Sequence, residues 1–155
     1  MVVLIELLSH PVFENFSLVT NRSGIYNQVK DTGIFEWENE EMINKTFQKG
    51  SLILTTLAVY KDDPEKAMDM MKHLIKTAPS AICIKRVYYD FLPDEVIEFA
   101  NKKHTPIFFF SDTYFPDIIV TIRNALTPNE INTRQLKVIN DILYGKHEPN
   151  EIELL

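Results

Sequence analysis

Gly50-Ser51-Leu52-Ile53-Leu54-Thr55-Thr56 decides how this chain is read. A glycine turn opens a short apolar run, and the run ends in two adjacent threonines. Leu52, Ile53 and Leu54 are too few for a surface helix and show no polar face. They read as a strand buried on both sides, as in a parallel sheet with helices above and below. Ligands of such sheets sit outside the carboxyl ends of the strands. Thr55 and Thr56 fall there, with hydroxyls that both donate and accept. The other reading of the pair is that the hydroxyls satisfy backbone groups in the turn, which threonine does readily. Taken alone, the pair favours that second reading.

The rest of the chain repeats the pattern. Asp62-Asp63-Pro64-Glu65 is a helix start, with Asp63 as cap and Pro64 at the first helical position. Ala67, Met70, Met71, Leu74, Ile75 and Ala78 follow at helical spacing. Ala81 to Lys85 is a second buried strand, Pro93 to Lys103 a helix, Ile107 to Phe110 a third strand and Phe115 to Leu126 a helix. Asp112 is placed to cap that helix. Upstream, Leu4 to Leu8 reads as a short helix and Phe16 to Thr20 as a strand. Val29 to Trp37 reads as one further strand, weakened by Gly33. Glu40 to Gln48 reads as a helix with Met42, Ile43 and Phe47 inward. Thr127-Pro128-Asn129-Glu130 opens a last helix that runs to Tyr144 before Gly145. Strands alternating with helices predict an α/β fold: a small, mostly parallel sheet flanked by helices, with a C-terminal helix.

Composition narrows the function classes. The chain has 155 residues, 45% of them hydrophobic, enough for one domain with a packed core and too apolar for disorder. Its net charge of −6 argues against direct nucleic-acid binding by this chain. Cys83 is the single cysteine, so no internal disulfide forms. Met1 to Leu8 is too short to span a bilayer and lacks a basic flank. A cytoplasmic location without membrane attachment is the expectation.

The four glycines are too scattered for a phosphate-binding loop, a dinucleotide fingerprint or a serine nucleophile elbow. His10, His73, His104 and His147 show no metal-ligand spacing, so neither a metal nor a cofactor is expected. Cys83, between Ile82 and Ile84, reads as a small core residue. Lys85-Arg86 is different. It follows a buried strand directly and so falls at the same sheet edge as Thr55 and Thr56. Two readings stand: the cations bind an anionic or carbonyl-rich small molecule, or they pair with acids such as Asp90 or simply face water. Ser111-Asp112 ends the next strand at that edge.

The ordered set of segments resembles a known family. Gly50-Ser51-Leu52-Ile53-Leu54-Thr55-Thr56 is similar to the G-E-L-L-L-T-T segment of the PucR-type N-terminal domain of purine catabolism regulators, which are bacterial transcription factors. Asn21 to Ile25, Val29-Lys30, Glu36, Asp62 to Glu65, Ile84-Lys85, Leu92-Pro93, Ala100, Pro106 and Phe115-Pro116-Asp117-Ile118-Ile119 match further parts in order. The resemblance covers residues 4 to 126. Three positions depart from it: Leu57 replaces a small residue, Cys83 a glycine, and Ser111-Asp112 a proline.

The resemblance implies effector sensing without catalysis. Residues 1–126 would be the regulatory domain. Residues 127–155 would be a helix and linker toward a dimerising region and helix-turn-helix that family members carry downstream. The expected ligand is a small polar effector, purine-related or nitrogen-rich. Glu36, Thr55, Thr56, Lys85 and Arg86 are the candidate binding residues. The competing reading is an interaction or homodimerisation module without a ligand, using Tyr88-Tyr89, Phe91 and the last helix. An enzyme is disfavoured by the missing nucleotide and nucleophile motifs.

Overall fold

A computed structural model of the chain describes residues 1–127. The elements are β1 (Val2–Val3), α1 (Leu4–Leu7), β2 (Ser17–Leu18), β3 (Gln28–Val29), β4 (Asp31–Ile34), α2 (Glu40–Thr46), β5 (Ser51–Thr55), α3 (Pro64–Lys76), β6 (Ala81–Lys85), α4 (Asp94–Lys102), β7 (Ile107–Phe110) and α5 (Phe115–Leu126). The helix read over residues 129–144 lies outside the described residues.

One five-stranded sheet organises the chain, in the order β2-β7-β6-β5-β4. β4, β5, β6 and β7 are parallel; β2 joins β7 antiparallel at one edge. The register sets Leu52 beside Ala81, Leu54 beside Cys83 and Cys83 beside Phe108. Every residue of β5 and β7 is buried. The expectation of three neighbouring parallel strands over 52–54, 82–84 and 107–110 therefore holds.

Alternation along the strands divides the core. Ile53, Ile82, Ile84, Ile107 and Phe109 face Ile43 of α2, the apolar stripe of α3 and Val96 and Ala100 of α4. Leu52, Leu54, Ala81, Cys83, Phe108 and Phe110 face Leu4 and Leu7 of α1, Phe13, and Ile118 and Ile122 of α5. The sheet advances in one direction from β4 to β7, so crossovers of one hand must all land on one face. That face carries α2, α3 and α4. The opposite face would be bare without α1 and α5.

Local chemistry sets the ends. Asp63 caps α3 by accepting from the Lys66 N–H at 3.1 Å, and Pro64 follows as anticipated. Asn39 caps α2 through the Met42 N–H at 3.0 Å. Asn27 ties loops at the amino-terminal edge of the sheet, donating to the carbonyls of His104 (2.8 Å) and Ser80 (3.2 Å).

Several expectations are corrected. The segment read as one strand over 29–37 is two, β3 and β4, because the chain changes partner at Lys30. β3 pairs with β1 in a separate two-stranded ladder, whereas the Lys30 N–H donates to the Gly50 carbonyl and β4 joins β5. The strand over 16–20 is only Ser17–Leu18. Met42 is exposed; Ile43 and Phe47 alone face inward from that helix. Ala78 lies past α3 with φ +57°. Asp112 does not cap α5, whose N-cap residue is Tyr114 without a side-chain bond.

Two outcomes follow. A Cβ on Gly24 would meet the His104 carbonyl at 2.2 Å and Pro106 at 2.6 Å, whereas one on Gly33 would meet only the Phe47 ring at 3.1 Å. Gly24→Ala is expected to cost about 3 kcal/mol in urea denaturation, and Gly33→Ala clearly less. Complete burial pushes the Cys83 thiol up. It should resist a thiol reagent at about pH 8 in the folded protein and react fully in denaturant.

Candidate functional site

The carboxyl ends of β4, β5, β6 and β7 lie side by side, and just beyond them stand Glu36, Thr56, Arg86 and Ser111. Three of the five candidate residues sit at this rim; Thr55 and Lys85 close β5 and β6 just beneath it.

Glu36 and Thr56 meet. Two strand ends are joined by one carboxylate, which accepts the Thr56 N–H at 2.6 Å and the Thr56 hydroxyl at 2.9–3.0 Å. The adjacent turn is fixed the same way: the Glu38 carboxylate accepts the N–H groups of Glu36 (3.0 Å) and Trp37 (3.1 Å). Thr55 is wholly buried, and its hydroxyl accepts the Leu57 N–H at 2.9 Å. Backbone satisfaction in the turn is thus its observed role. That bond supports Leu57 in a left-handed conformation (φ 59°), a costly geometry for leucine, offset here by burial of its side chain. Leu57 stands where the family resemblance calls for a small residue.

Lys85 and Arg86 do not act as a pair. Successive side chains of a strand leave opposite faces. Lys85 shares the face of Cys83, and its ammonium lies 4.9 Å from the centre of the Tyr114 ring at the start of α5. Arg86 emerges on the face of Ile84, its guanidinium 5.5 Å from the Phe109 ring. Among the described residues neither cation has a carboxylate within 4 Å, so the pairing with Asp90 is not made. Arg86 donates instead to the Ser111 hydroxyl at 3.1 Å.

Arg86 and Ser111 line an open hollow of about 460 Å³ with Val87, Tyr88, Tyr89 and Asp90. Tyr89 is anchored by its hydroxyl, which donates to the Tyr60 carbonyl. Burial, and then the Asp63 and Asp62 carboxylates, push that phenol up. Neither Glu36 nor either threonine lines this hollow. The site therefore has two parts, a closed Glu36–Thr56 clasp and an open Arg86–Ser111 hollow. Two signals in sequence pointed to Ser111: its place at the end of a buried strand, and a hydroxyl where the family pattern has proline.

A second cluster escaped the search for histidine spacing. Glu40 of α2 and Asp69 and His73 of α3 bring their ligand atoms within 4.8 Å of one another. His73 Nε2 lies 3.2 Å from Glu40 and 3.7 Å from Asp69. Glu40 is distant in sequence, which hid the group. These atoms have the chemistry of metal ligands. Yet both carboxylates are exposed and Asp69 also faces Lys66 at 3.8 Å, so the arrangement serves equally as a surface ion-pair network.

The clasp has a measurable strength. A double-mutant cycle on Glu36→Gln and Thr56→Val is expected to give a coupling energy of about 1 kcal/mol in chemical denaturation. A coupling near zero would show that the two strand ends are held independently.

Comparison with known proteins adds the family. No match emerged among curated protein sequences. Among solved structures the chain is similar to the CBS and DRTGG domains of the regulatory region of a Clostridium perfringens pyrophosphatase, a structure complexed with its activator diadenosine tetraphosphate. The TM-score is 0.48 at 10% identity, over 76% of this chain and 48% of that one. This chain thus spans about half the length of that relative. Residues 6–126 match the family model described as purine catabolism regulatory protein-like, a span that contains all five strands of the main sheet. The chain belongs to the purine catabolism regulatory protein-like family.

Proposed function

We propose that this chain is the effector-sensing domain of a transcription regulator, that it is not an enzyme, and that it binds a small polar metabolite at the carboxyl edge of its sheet. The observation that carries this reading is the Arg86 guanidinium. It lies at a strand end in an open hollow, without a carboxylate partner among the described residues, and oriented by Ser111. A guanidinium held this way suits a planar carbonyl or carboxylate group, which it can bond twice. Tyr88 and Tyr89 offer ring faces and Asp90 an acceptor for ring N–H groups. A nitrogen-rich, purine-related molecule combines these features, and the family description points the same way. Its identity as a nucleobase or ureide rests on that family likeness alone.

The other candidate residues take supporting roles. Glu36 and Thr56 hold the neighbouring strand ends, and Thr55 shapes the turn. Lys85 links the rim to α5 through Tyr114. A ligand that preferred one arrangement of this rim would bias the position of α5. No described helix is long and apolar enough to cross a membrane.

A second reading draws on the same edge. Val87, Tyr88, Phe91 and Tyr114 are 54%, 47%, 71% and 68% exposed, an apolar fringe that would suit a protein partner or a second copy.

Calorimetry with purines, their ureide breakdown products and amino acids tests the reading. A ligand should bind and raise the melting temperature, and Arg86→Ala should weaken binding about tenfold or more. Lys85→Ala and Thr56→Val should weaken it less. Equal affinity in all three variants would move the site elsewhere. If no compound binds, and sedimentation instead shows association that Phe91→Ser abolishes, the partner-binding reading takes over.

A further inference from the structure

The amino-terminal edge of the parallel strands carries a second hollow, of about 370 Å³, at the opposite end of the sheet from Arg86. The segments that enter β4, β5, β6 and β7 form its wall. They bring Lys30, Lys49 and Lys103 to one cavity together with Ser80 and His104, and no carboxylate lines it. That is an unusual concentration of positive charge in a chain of net charge −6. Among the described residues none of the three ammonium groups has a carboxylate within 4 Å.

Ser80 is the second observation. It is 2% exposed, and its hydroxyl is the one buried side-chain polar atom among the described residues without a hydrogen-bond partner. Its backbone is fully engaged: the N–H donates to the Ser51 carbonyl at 2.9 Å, and the carbonyl accepts from Asn27. A buried hydroxyl left unpaired costs stability unless something else pairs it. The surrounding loops are braced, since the Gly50 N–H donates to the Ala78 carbonyl at 3.0 Å and Asn27 joins Ser80 to His104.

We propose that this hollow binds a phosphate-bearing small molecule. Lys30, Lys49 and Lys103 would neutralise its charge, and the Ser80 hydroxyl would turn to donate to a phosphate oxygen. Three separate, mobile ammonium groups suit a compact anion with several oxygens. A planar carboxylate is better met by an arginine fork, and no arginine lines this cavity. The volume lies in the range of small-molecule sites. The chain would then read two chemistries, one at each end of the same strands.

The test is calorimetry on the full chain with inorganic phosphate, pyrophosphate and a nucleoside triphosphate, which separates recognition of the phosphate from recognition of an attached base. Pyrophosphate should bind more tightly than phosphate and weaken as salt rises. The variant Lys30→Gln, Lys49→Gln, Lys103→Gln should lose about tenfold or more in affinity. The charge-matched variant Lys45→Gln, Lys76→Gln, Lys102→Gln should keep it. Ser80→Ala should weaken binding about tenfold while leaving the melting temperature of the free protein unchanged or higher. The proposal fails if no phosphate compound binds, if the two lysine variants behave alike, or if Ser80→Ala lowers the melting temperature without altering affinity. Tighter binding of duplex DNA than of pyrophosphate, lost in the first lysine variant alone, would also overturn it and make the surface a nucleic-acid contact.

Discussion

Everything in this fold depends on covering both faces of β5, β6 and β7. Leu52, Ile53 and Leu54, like Phe108, Phe109 and Phe110, send apolar side chains alternately to the two sides, and all six are buried. A strand of this kind has no face to offer water. The three crossover helices cover one side only. The other is closed by segments from the two ends of the described chain, α1 and α5. Folding of the N-terminal residues is therefore a condition of the sheet's stability and not an addition to it. The stacking of Phe16 on Phe110, with ring centres 4.4 Å apart, shows how closely that N-terminal layer is fitted to the last strand.

The same burial explains how much was legible in the sequence. Apolar runs bounded by glycine, proline and capping residues located β5, β6, β7, α3, α4 and α5 almost to the residue. Where the chain changes partner without a change in composition, the pattern failed. Val29 to Trp37 reads as one strand, and the change of partner at the bond from Lys30 to Gly50 divides it. Met42 satisfied the helical period, but α2 has just two turns and Ile43 and Phe47 already fill its inward face.

For the site, location was legible and geometry was not. The position of Thr55, Thr56, Lys85 and Arg86 at strand ends follows from where the apolar runs stop. Their roles depend on strand parity and on residues distant in sequence. Parity separates Lys85 from Arg86, although adjacency suggested a joint role. Glu36 meets Thr56 because β4 and β5 run in register. Ser80 and the three lysines of the opposite edge gave no sequence signal at all. They stand in four different loops and converge only once the strands are aligned.

The strand order has a consequence for how the chain assembles. From β4 to β7 each new strand lies next to the one made just before it. Each pairing thus closes a loop of modest length, and the sheet can grow by accretion as the polypeptide leaves the ribosome. β2 is the exception. Its neighbour, β7, lies some ninety residues later, with Ser17 opposite Phe109. The N-terminal segment must wait for the last strand of the sheet to be synthesised. Until then Leu52, Leu54, Ala81 and Cys83 are without their full cover, and the half-built sheet presents the kind of apolar surface that chaperones recognise.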